Sequence, residues 1–324
     1  MTTTPLSMQT LDVNGLRMQV AMQGSGPLVL LCHGFPELWV SWRAQLDALA
    51  AAGYRAVAPD MRGYGGTSAP DDANAYSQLH LVGDMVELVR AMNEKQAVIV
   101  GHDWGAPVAW NSALLRPDVF RAVVGMSVPF APPGRVEMLS SLDQAGIHNF
   151  YLQYFQAAGV AEAELEQDVA VSIRRIHFGA SGEGHAMLGR SVFGALAPGQ
   201  GFLGHLVEPP SLPAWWSESD TAYYTAEFAR TGFRGGLNWY RNIKRSWELL
   251  TPWRGQVIRQ PSMFIAGSCD DVLNFPSSKP QIDNYTKTLP GLRGCHILEG
   301  AGHWIQRERA QQVNSHLIDF LAGL

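Results

Sequence analysis

Short apolar runs alternate with amphipathic helical patterns through the first part of the chain, and this alternation constrains the fold more than any other feature. Runs that are apolar on both faces are typical of parallel strands buried inside a sheet. The segments between them carry apolar residues at helical spacing, as in Leu38, Trp42, Leu46 and Leu49. Strand–helix alternation predicts a parallel sheet that helices cover on both faces. The predicted strands are Leu28–Cys32, Arg55–Ala58, Ala97–Val100, Val123–Met126, Ser262–Ala266 and His296–Leu298.

The alternation stops near Pro129 and resumes only at Ser262. Three prolines, Pro129, Pro132 and Pro133, indicate a boundary there. From this point to about Arg254 the chain shows helical segments rich in Tyr, Trp and Arg. We therefore expect a helical cap over residues 130–254, inserted between two strands of a core that residues 1–129 and 255–324 form.

The charge balance limits the classes of partner. The formal net charge is -5, with both signs interspersed and no basic stripe, so we expect no nucleic acid partner. Hydrophobic residues make up 46% of the chain, which is enough to bury a sizeable core. A neutral or apolar substrate fits this balance better than a strongly charged one.

Cysteine count and hydropathy indicate the compartment. Three cysteines, an odd number, predict reduced thiols and argue against a disulfide framework. The start of the chain lacks the basic and apolar stretches of a signal peptide. No apolar run approaches the ~18 residues that a membrane span needs. We therefore expect a cytoplasmic protein without membrane association.

The segment Gly101-His102-Asp103-Trp104-Gly105 follows a predicted strand and precedes a helical pattern from Ala106 to Leu115. This is the setting of a nucleophile elbow, in which glycines flank the reactive residue because the turn leaves no room for side chains. The central residue is aspartate where many such enzymes have serine, and a carboxylate displaces at saturated carbon to form an alkyl ester. Asp103 is therefore the predicted nucleophile. The alternative is that Asp103 only caps the following helix.

An alkyl ester on Asp103 must be hydrolysed by water, so the reaction needs a base. In enzymes with this elbow the acid and then the histidine follow the nucleophile along the chain. His303 lies after the last predicted strand and before the last helix, and it is the predicted base. Asp270 and Asp271 both follow the preceding strand, and either would hold the imidazole in its useful tautomer.

Attack of water on the ester creates an oxyanion, which backbone N–H groups stabilise. In this type of fold one donor is the residue after the nucleophile, and the other lies in a loop after an earlier strand. These positions correspond to Trp104 and to Phe35 in His33-Gly34-Phe35-Pro36-Glu37. Pro36 has no N–H group and cannot donate.

Three motifs of the core and two of the insertion match one known pattern: His33-Gly34-Phe35-Pro36-Glu37, Asp60-Met61-Arg62-Gly63-Tyr64-Gly65, Gly101-His102-Asp103-Trp104-Gly105, Tyr151-Leu152-Gln153-Tyr154-Phe155-Gln156 and Leu237-Asn238-Trp239-Tyr240-Arg241-Asn242. Together they resemble the epoxide hydrolases, over nearly the whole chain. The resemblance implies the α/β-hydrolase fold, with a mostly parallel sheet of about eight strands and a helical cap. It favours Asp270 over Asp271 as the acid.

The resemblance also implies two cap tyrosines that hold the epoxide oxygen, at Tyr151 and Tyr240. An opening epoxide produces an alkoxide, a poor leaving group, and two phenols are suited to stabilise and protonate it. We expect a small apolar epoxide and water as reactants, with no metal and no cofactor. A largely apolar pocket is expected from five aromatic residues: Phe35, Trp39, Trp104, Phe155 and Trp304.

Three other functions compete with epoxide hydrolysis. A dehalogenase also uses an elbow aspartate, but it needs halide-binding donors, and the Phe35 side chain offers none. An esterase is disfavoured because the nucleophile is not serine. A ligand-binding relative without catalysis is disfavoured because the full set of predicted catalytic residues is present.

Overall fold

The computed structural model describes residues 5–324. One sheet of eight strands runs through it in the order β1-β2-β4-β3-β5-β6-β7-β8. Strand β2 is antiparallel to β1 and β4, and every other neighbouring pair is parallel. This confirms the predicted α/β-hydrolase fold with its mostly parallel sheet. The strands are β1 Ser7–Val13, β2 Leu16–Gln23, β3 Leu28–Cys32, β4 Arg55–Pro59, β5 Ala97–His102, β6 Phe120–Met126, β7 Ser262–Gly267 and β8 Leu292–Leu298.

Strands β1 and β2 were not among the six predicted strands, although the sequence carries a signal for them. They form a hairpin closed by Asn14 and Gly15, both with positive φ (49° and 77°). Asn-Gly is the residue pair that favours such two-residue turns, because both positions must adopt positive φ. The side chains of β2 alternate in burial at Leu16, Arg17 and Met18, as expected for an outer strand with one face toward the core.

Helices cover both faces of the sheet, as the alternation predicts. Every residue of β3, β5 and β7 is buried, which explains why these strands are apolar throughout. The helices are α1 Arg43–Ala51, α2 Gln78–Ala91, α3 Gly105–Leu115, α4 Met138–Gln144, α5 Tyr151–Tyr154, α6 Val160–Leu165, α7 Val169–Gly179, α8 Gly182–Leu188, α9 Glu218–Thr231, α10 Arg234–Arg241, α11 Ile243–Leu249, α12 Ser278–Asp283, α13 Tyr285–Thr288, α14 Ile305–Glu308 and α15 Ala310–Ala322. Short 3₁₀ turns occupy Trp39–Trp42, Ala73–Tyr76, Phe202–His205, Thr251–Trp253 and Asp271–Asn274.

The chain between β6 and β7 is helical, with helices α4 to α11 and one isolated β-bridge between Phe150 and Ala195. We call residues 130–254 the cap. Its exact limits, and its standing as a separate domain, remain predictions from the sequence.

Cys32, Cys269 and Cys295 are free thiols, and only Cys32 is buried. Among residues 5–324 no helix is long and apolar enough to cross a membrane.

Candidate active site

Asp103 occupies the sharp turn between β5 and α3. Its φ is +50°, a left-handed conformation that non-glycine residues adopt rarely and that is typical of functional positions. A Cβ atom on Gly101 would overlap the carbonyl oxygen of Gly105, and one on Gly105 would overlap that of Cys32. The flanking glycines are therefore required by the closeness of the backbone, as predicted for an elbow.

One backbone donor already holds the Asp103 carboxylate. The N–H of Phe35 donates to Oδ1 at 2.7 Å. Gly34, the residue before Phe35, has no room for a Cβ atom because the Asp103 carboxylate fills that space. Trp104 lies at the N-terminal boundary of α3, and its role as the second oxyanion donor remains a prediction.

His303 lies between two carboxylates. Its Nε2 is 3.3 Å from Oδ2 of Asp103, and its Nδ1 is 3.1 Å from Oδ1 of Asp270. The hydroxyl of Ser127, a residue directly after β6, is also 3.0 Å from Nδ1. The histidine loop after β8, the acid loop after β7 and the elbow after β5 thus meet at one edge of the sheet, as parallel strand ends do.

The two adjacent aspartates have different partners. Oδ1 of Asp270 contacts His303 and also accepts from the N–H of Val272. Oδ2 of Asp271 accepts from the N–H groups of Val192 and Phe193 in the cap, at 2.6 and 2.9 Å. The geometry therefore favours Asp270 as the residue that orients the imidazole.

The surroundings shift the pKa values of this pair in opposite directions. Burial alone disfavours the imidazolium, but Asp270 and Asp103 together raise the pKa of His303 well above its usual value. Burial alone would raise the pKa of Asp270, but His303 beside it holds the pKa below the usual range. In the free enzyme the imidazolium is therefore stabilised between two carboxylates.

Two other histidines near strand ends, His102 and His33, have structural partners. His102 contacts Oε2 of Glu37 at 2.7 Å through Nδ1 and the carbonyl oxygen of His303 at 2.7 Å through Nε2. Nε2 of His33 accepts from the N–H of Met61 at 3.0 Å. Both rings are fully buried, and their ring nitrogens are bonded within the core.

Tyr151 and Tyr240 come together from two cap helices, α5 and α10. Their ring centroids are 6.2 Å apart, and Tyr240 packs on Trp104 at 5.0 Å and on Phe35 at 5.4 Å. Burial, followed by the negative charge of Asp103, raises the pKa of both phenols well above 10. Both phenols therefore keep their protons and remain hydrogen-bond donors near the elbow.

The five predicted pocket residues fall into two groups. Phe35, Trp104 and Phe155 all pack against Tyr240. Trp39 instead donates through Nε1 to the Tyr223 hydroxyl. Trp304 packs against the His303 ring at 4.7 Å, with its Nε1 donating to the carbonyl oxygen of His177. These settings place the first group against Tyr240, and the pocket role of all five residues stays a prediction.

Sequence reasoning missed three residues beside the site. Ser127 contacts His303, and Phe193 packs on both His303 (5.0 Å) and Tyr151 (5.6 Å). Phe202 packs on Tyr151 at 6.0 Å. Phe193 lies in an irregular part of the cap, Phe202 begins a short 3₁₀ turn and Ser127 follows a strand, so none of them stands in a pattern that would have revealed it.

This arrangement can support nucleophilic and acid–base chemistry. It brings together a carboxylate, a histidine paired with a second carboxylate, and two protonated phenols. Within residues 5–324 no group of three or more His, Cys, Asp or Glu side chains is placed to hold a metal ion.

Known proteins are similar to this chain in sequence and structure. Residues 27–180 match the family described as alpha/beta hydrolase fold. The chain is 44% identical to epoxide hydrolase A of Mycobacterium tuberculosis over 317 residues, which span 97% of this chain and 96% of that protein. It is 40% identical to bifunctional epoxide hydrolase 2 of Mus musculus over 308 residues, 95% of this chain and 54% of that protein.

Solved structures agree. The epoxide hydrolase from an endophytic Streptomyces superposes with a TM-score of 0.92 at 46% identity, covering 98% of this chain and 96% of that one. Epoxide hydrolase A from Mycobacterium thermoresistibile superposes with a TM-score of 0.90 at 43% identity, covering 99% of both chains. On this identity and coverage, the chain belongs to the epoxide hydrolases of the α/β-hydrolase fold.

Proposed function

We propose that this chain converts an epoxide and water to a vicinal diol through a covalent ester on Asp103. The chain is an enzyme of the epoxide hydrolase family, and we propose which of its residues perform each step. The observation that carries it is the position of Asp103, with one oxygen on the Phe35 N–H and the other toward His303.

In the first step Oδ2 of Asp103 attacks an epoxide carbon and the carbon–oxygen bond of the ring breaks. Oδ1 is engaged by the Phe35 N–H, so we assign the attack to Oδ2. The leaving alkoxide takes a proton from Tyr151 or Tyr240, whose hydroxyls remain protonated because their pKa values are raised. General acid catalysis of this kind contributes ~100–10,000-fold.

In the second step His303, which now faces a neutral ester, first passes its proton to the phenolate. Water then attacks the carbonyl carbon of the ester while the neutral imidazole accepts its proton. The oxyanion forms on Oδ1, where the Phe35 N–H already donates. The intermediate collapses, and the departing diol oxygen takes the proton back from His303. The new carboxylic acid ionises and its proton returns to His303, so the enzyme is again in its starting state.

The substrate we propose is a small apolar epoxide. Phe35, Trp104 and Phe155 pack around the Tyr240 ring. Apolar walls with a few placed polar groups are typical of small-molecule sites, and the polar groups fix the orientation of the ligand. The cytoplasmic location expected from the sequence remains a prediction.

Turnover of styrene oxide tests this proposal, with diol formation and halide release from a haloalkane measured side by side. Wild-type protein should form diol and release no halide. Asp103→Asn should form diol far more slowly than the wild type and should also release no halide. Halide release without diol formation would assign the site to dehalogenation instead. If the folded protein turns over none of the epoxides offered, the catalytic assignment is wrong.

A further inference from the structure

The turn between α7 and α8 in the cap rests directly on the loop that carries His303. The N–H of His303 donates to the carbonyl oxygen of Ala180 at 2.8 Å. A Cβ atom on Gly182 would overlap the carbonyl oxygen of Gly300, and one on Gly302 would overlap the backbone of the cap turn. The two backbones therefore pack with no side chain between them.

One carboxylate ties these two segments together. Oε2 of Glu308, the last residue of α14, accepts from the N–H groups of Gly302 and Gly182, both at 2.9 Å. Its Oε1 accepts from the N–H of Trp304 at 3.1 Å. Two of these donors flank His303 in the chain, and the third belongs to the cap.

Trp304 adds a second connection between the His303 loop and the cap. Its ring stacks on His177, a residue of α7, at 4.4 Å, while its Nε1 donates to the carbonyl oxygen of that residue at 2.7 Å. Glu308 thus binds the backbone of both neighbours of His303, Gly302 and Trp304, and the cap binds Trp304 as well. The imidazole has little freedom to move relative to Asp103 because the backbone on either side of it is fixed.

We propose that Glu308 is a positioning residue for hydrolysis of the ester: it fixes the His303 loop against the cap. This inference rests on the proposed role of His303 as the base. Attack of Asp103 on the epoxide needs no base, whereas hydrolysis of the ester does. Loosening the loop should therefore slow the second step far more than the first.

Glu308→Gln tests this because the amide has nearly the same size but only one acceptor oxygen. In either orientation its NH₂ group faces at least one backbone N–H, so the three bonds cannot all persist. Rapid quenching and intact mass spectrometry would follow alkylation and ester hydrolysis separately. We expect hydrolysis to slow ~10–100-fold, the range in which small misplacements act, with little change in alkylation, so that adduct accumulates.

Glu137→Gln is the matched control. The Glu137 carboxylate also accepts from two backbone N–H groups, those of Leu139 and Ser140, but at the start of α4 in the cap. Both rates should stay at their wild-type values. Glu308→Asp keeps both acceptor oxygens on a shorter stem and should hydrolyse the ester faster than Glu308→Gln.

A folded Glu308→Gln protein that hydrolyses the ester at the wild-type rate would overturn the inference, as would equal slowing of both steps. If Glu308→Gln does not fold, Gly182→Ala provides the same test. The added methyl group displaces the cap turn from Gly300 and leaves the Glu308 side chain unchanged. Ester hydrolysis at the wild-type rate in Gly182→Ala would also contradict the inference. Failure of the proposed function looks different, because no adduct would then form on any variant, His303→Gln included.

Discussion

Nε2 of His303 lies 3.3 Å from Oδ2 of Asp103. The imidazole is therefore influenced by the charge on the nucleophile as well as by Asp270 on its other side. Ester formation removes the negative charge of Asp103 and with it one of the two influences that raise the pKa of His303. The chemistry of the first step thus lowers the pKa of the base that the second step needs.

Asp103→Asn should reproduce this change, because an amide is neutral like the ester. In wild-type protein the pKa of His303 is raised well above 6.5, so the ring stays charged until the pH passes that raised value. In Asp103→Asn the His303 ring should lose its proton at a lower pH than in the wild type. NMR titration of labelled histidines measures the difference, with Asp271→Asn as the control for loss of a neighbouring charge. An identical His303 titration in wild type and Asp103→Asn would contradict the electrostatic account.

His303→Gln should stall the enzyme after alkylation. Asp103 can still attack the epoxide, but no base activates water for the ester. Intact mass spectrometry after mixing with styrene oxide should show protein heavier by one epoxide, whereas His148→Gln, a change at an exposed histidine, should show unmodified mass at the end of turnover. Folded His303→Gln of unmodified mass would argue against the assignment of His303.

Tyr151→Phe and Tyr240→Phe should each reduce turnover, and the double variant should have almost none. The two phenols share the task of protonating one alkoxide, and general acid catalysis is worth ~100–10,000-fold in all. Tyr223→Phe, which alters a phenol that accepts from Trp39, is the control and should alter turnover little. Wild-type turnover in the double variant would remove both tyrosines from the mechanism.

Asp270→Asn and Asp271→Asn should differ sharply, although the residues are adjacent. Asp270→Asn places an amide against Nδ1 of His303 and favours the wrong tautomer, which costs ~10,000-fold in a comparable triad. Asp271→Asn can keep both backbone bonds, since Val192 and Phe193 donate to a single oxygen. Single-turnover rates of ester hydrolysis separate the two, and equal effects would show that the acid has been misassigned.

The sequence predicted the parts of this molecule that rest on local rules. The elbow follows from two glycines and a strand–helix junction, and the position of His303 follows from the chain order. The choice between Asp270 and Asp271 could not be made locally, because a 3₁₀ turn directs the second carboxylate to the cap. Contacts such as that of Phe193 on His303 depend on how the cap folds over the core.

The Asn14-Gly15 hairpin is a different case, because the sequence carries its signal in the Asn-Gly pair, although the six predicted strands do not include it. Glu308 is the opposite case, because the sequence carries no signal for its role. Its backbone donors come from the cap and from both sides of His303, so neither spacing nor residue type in the sequence indicates what it holds.

The source of the new hydroxyl oxygen tests the covalent mechanism most directly. Enzyme in excess should be mixed with an epoxide in oxygen-18 water and stopped after one turnover. If Asp103 is the nucleophile, its own oxygen leaves in the diol, and water attacks the carbonyl carbon of the ester. The first-turnover diol should therefore be unlabelled, and the peptide that contains Asp103 should gain one heavy oxygen. A labelled diol with an unlabelled Asp103 peptide would mean that water attacks the epoxide directly, and the proposed ester would be wrong.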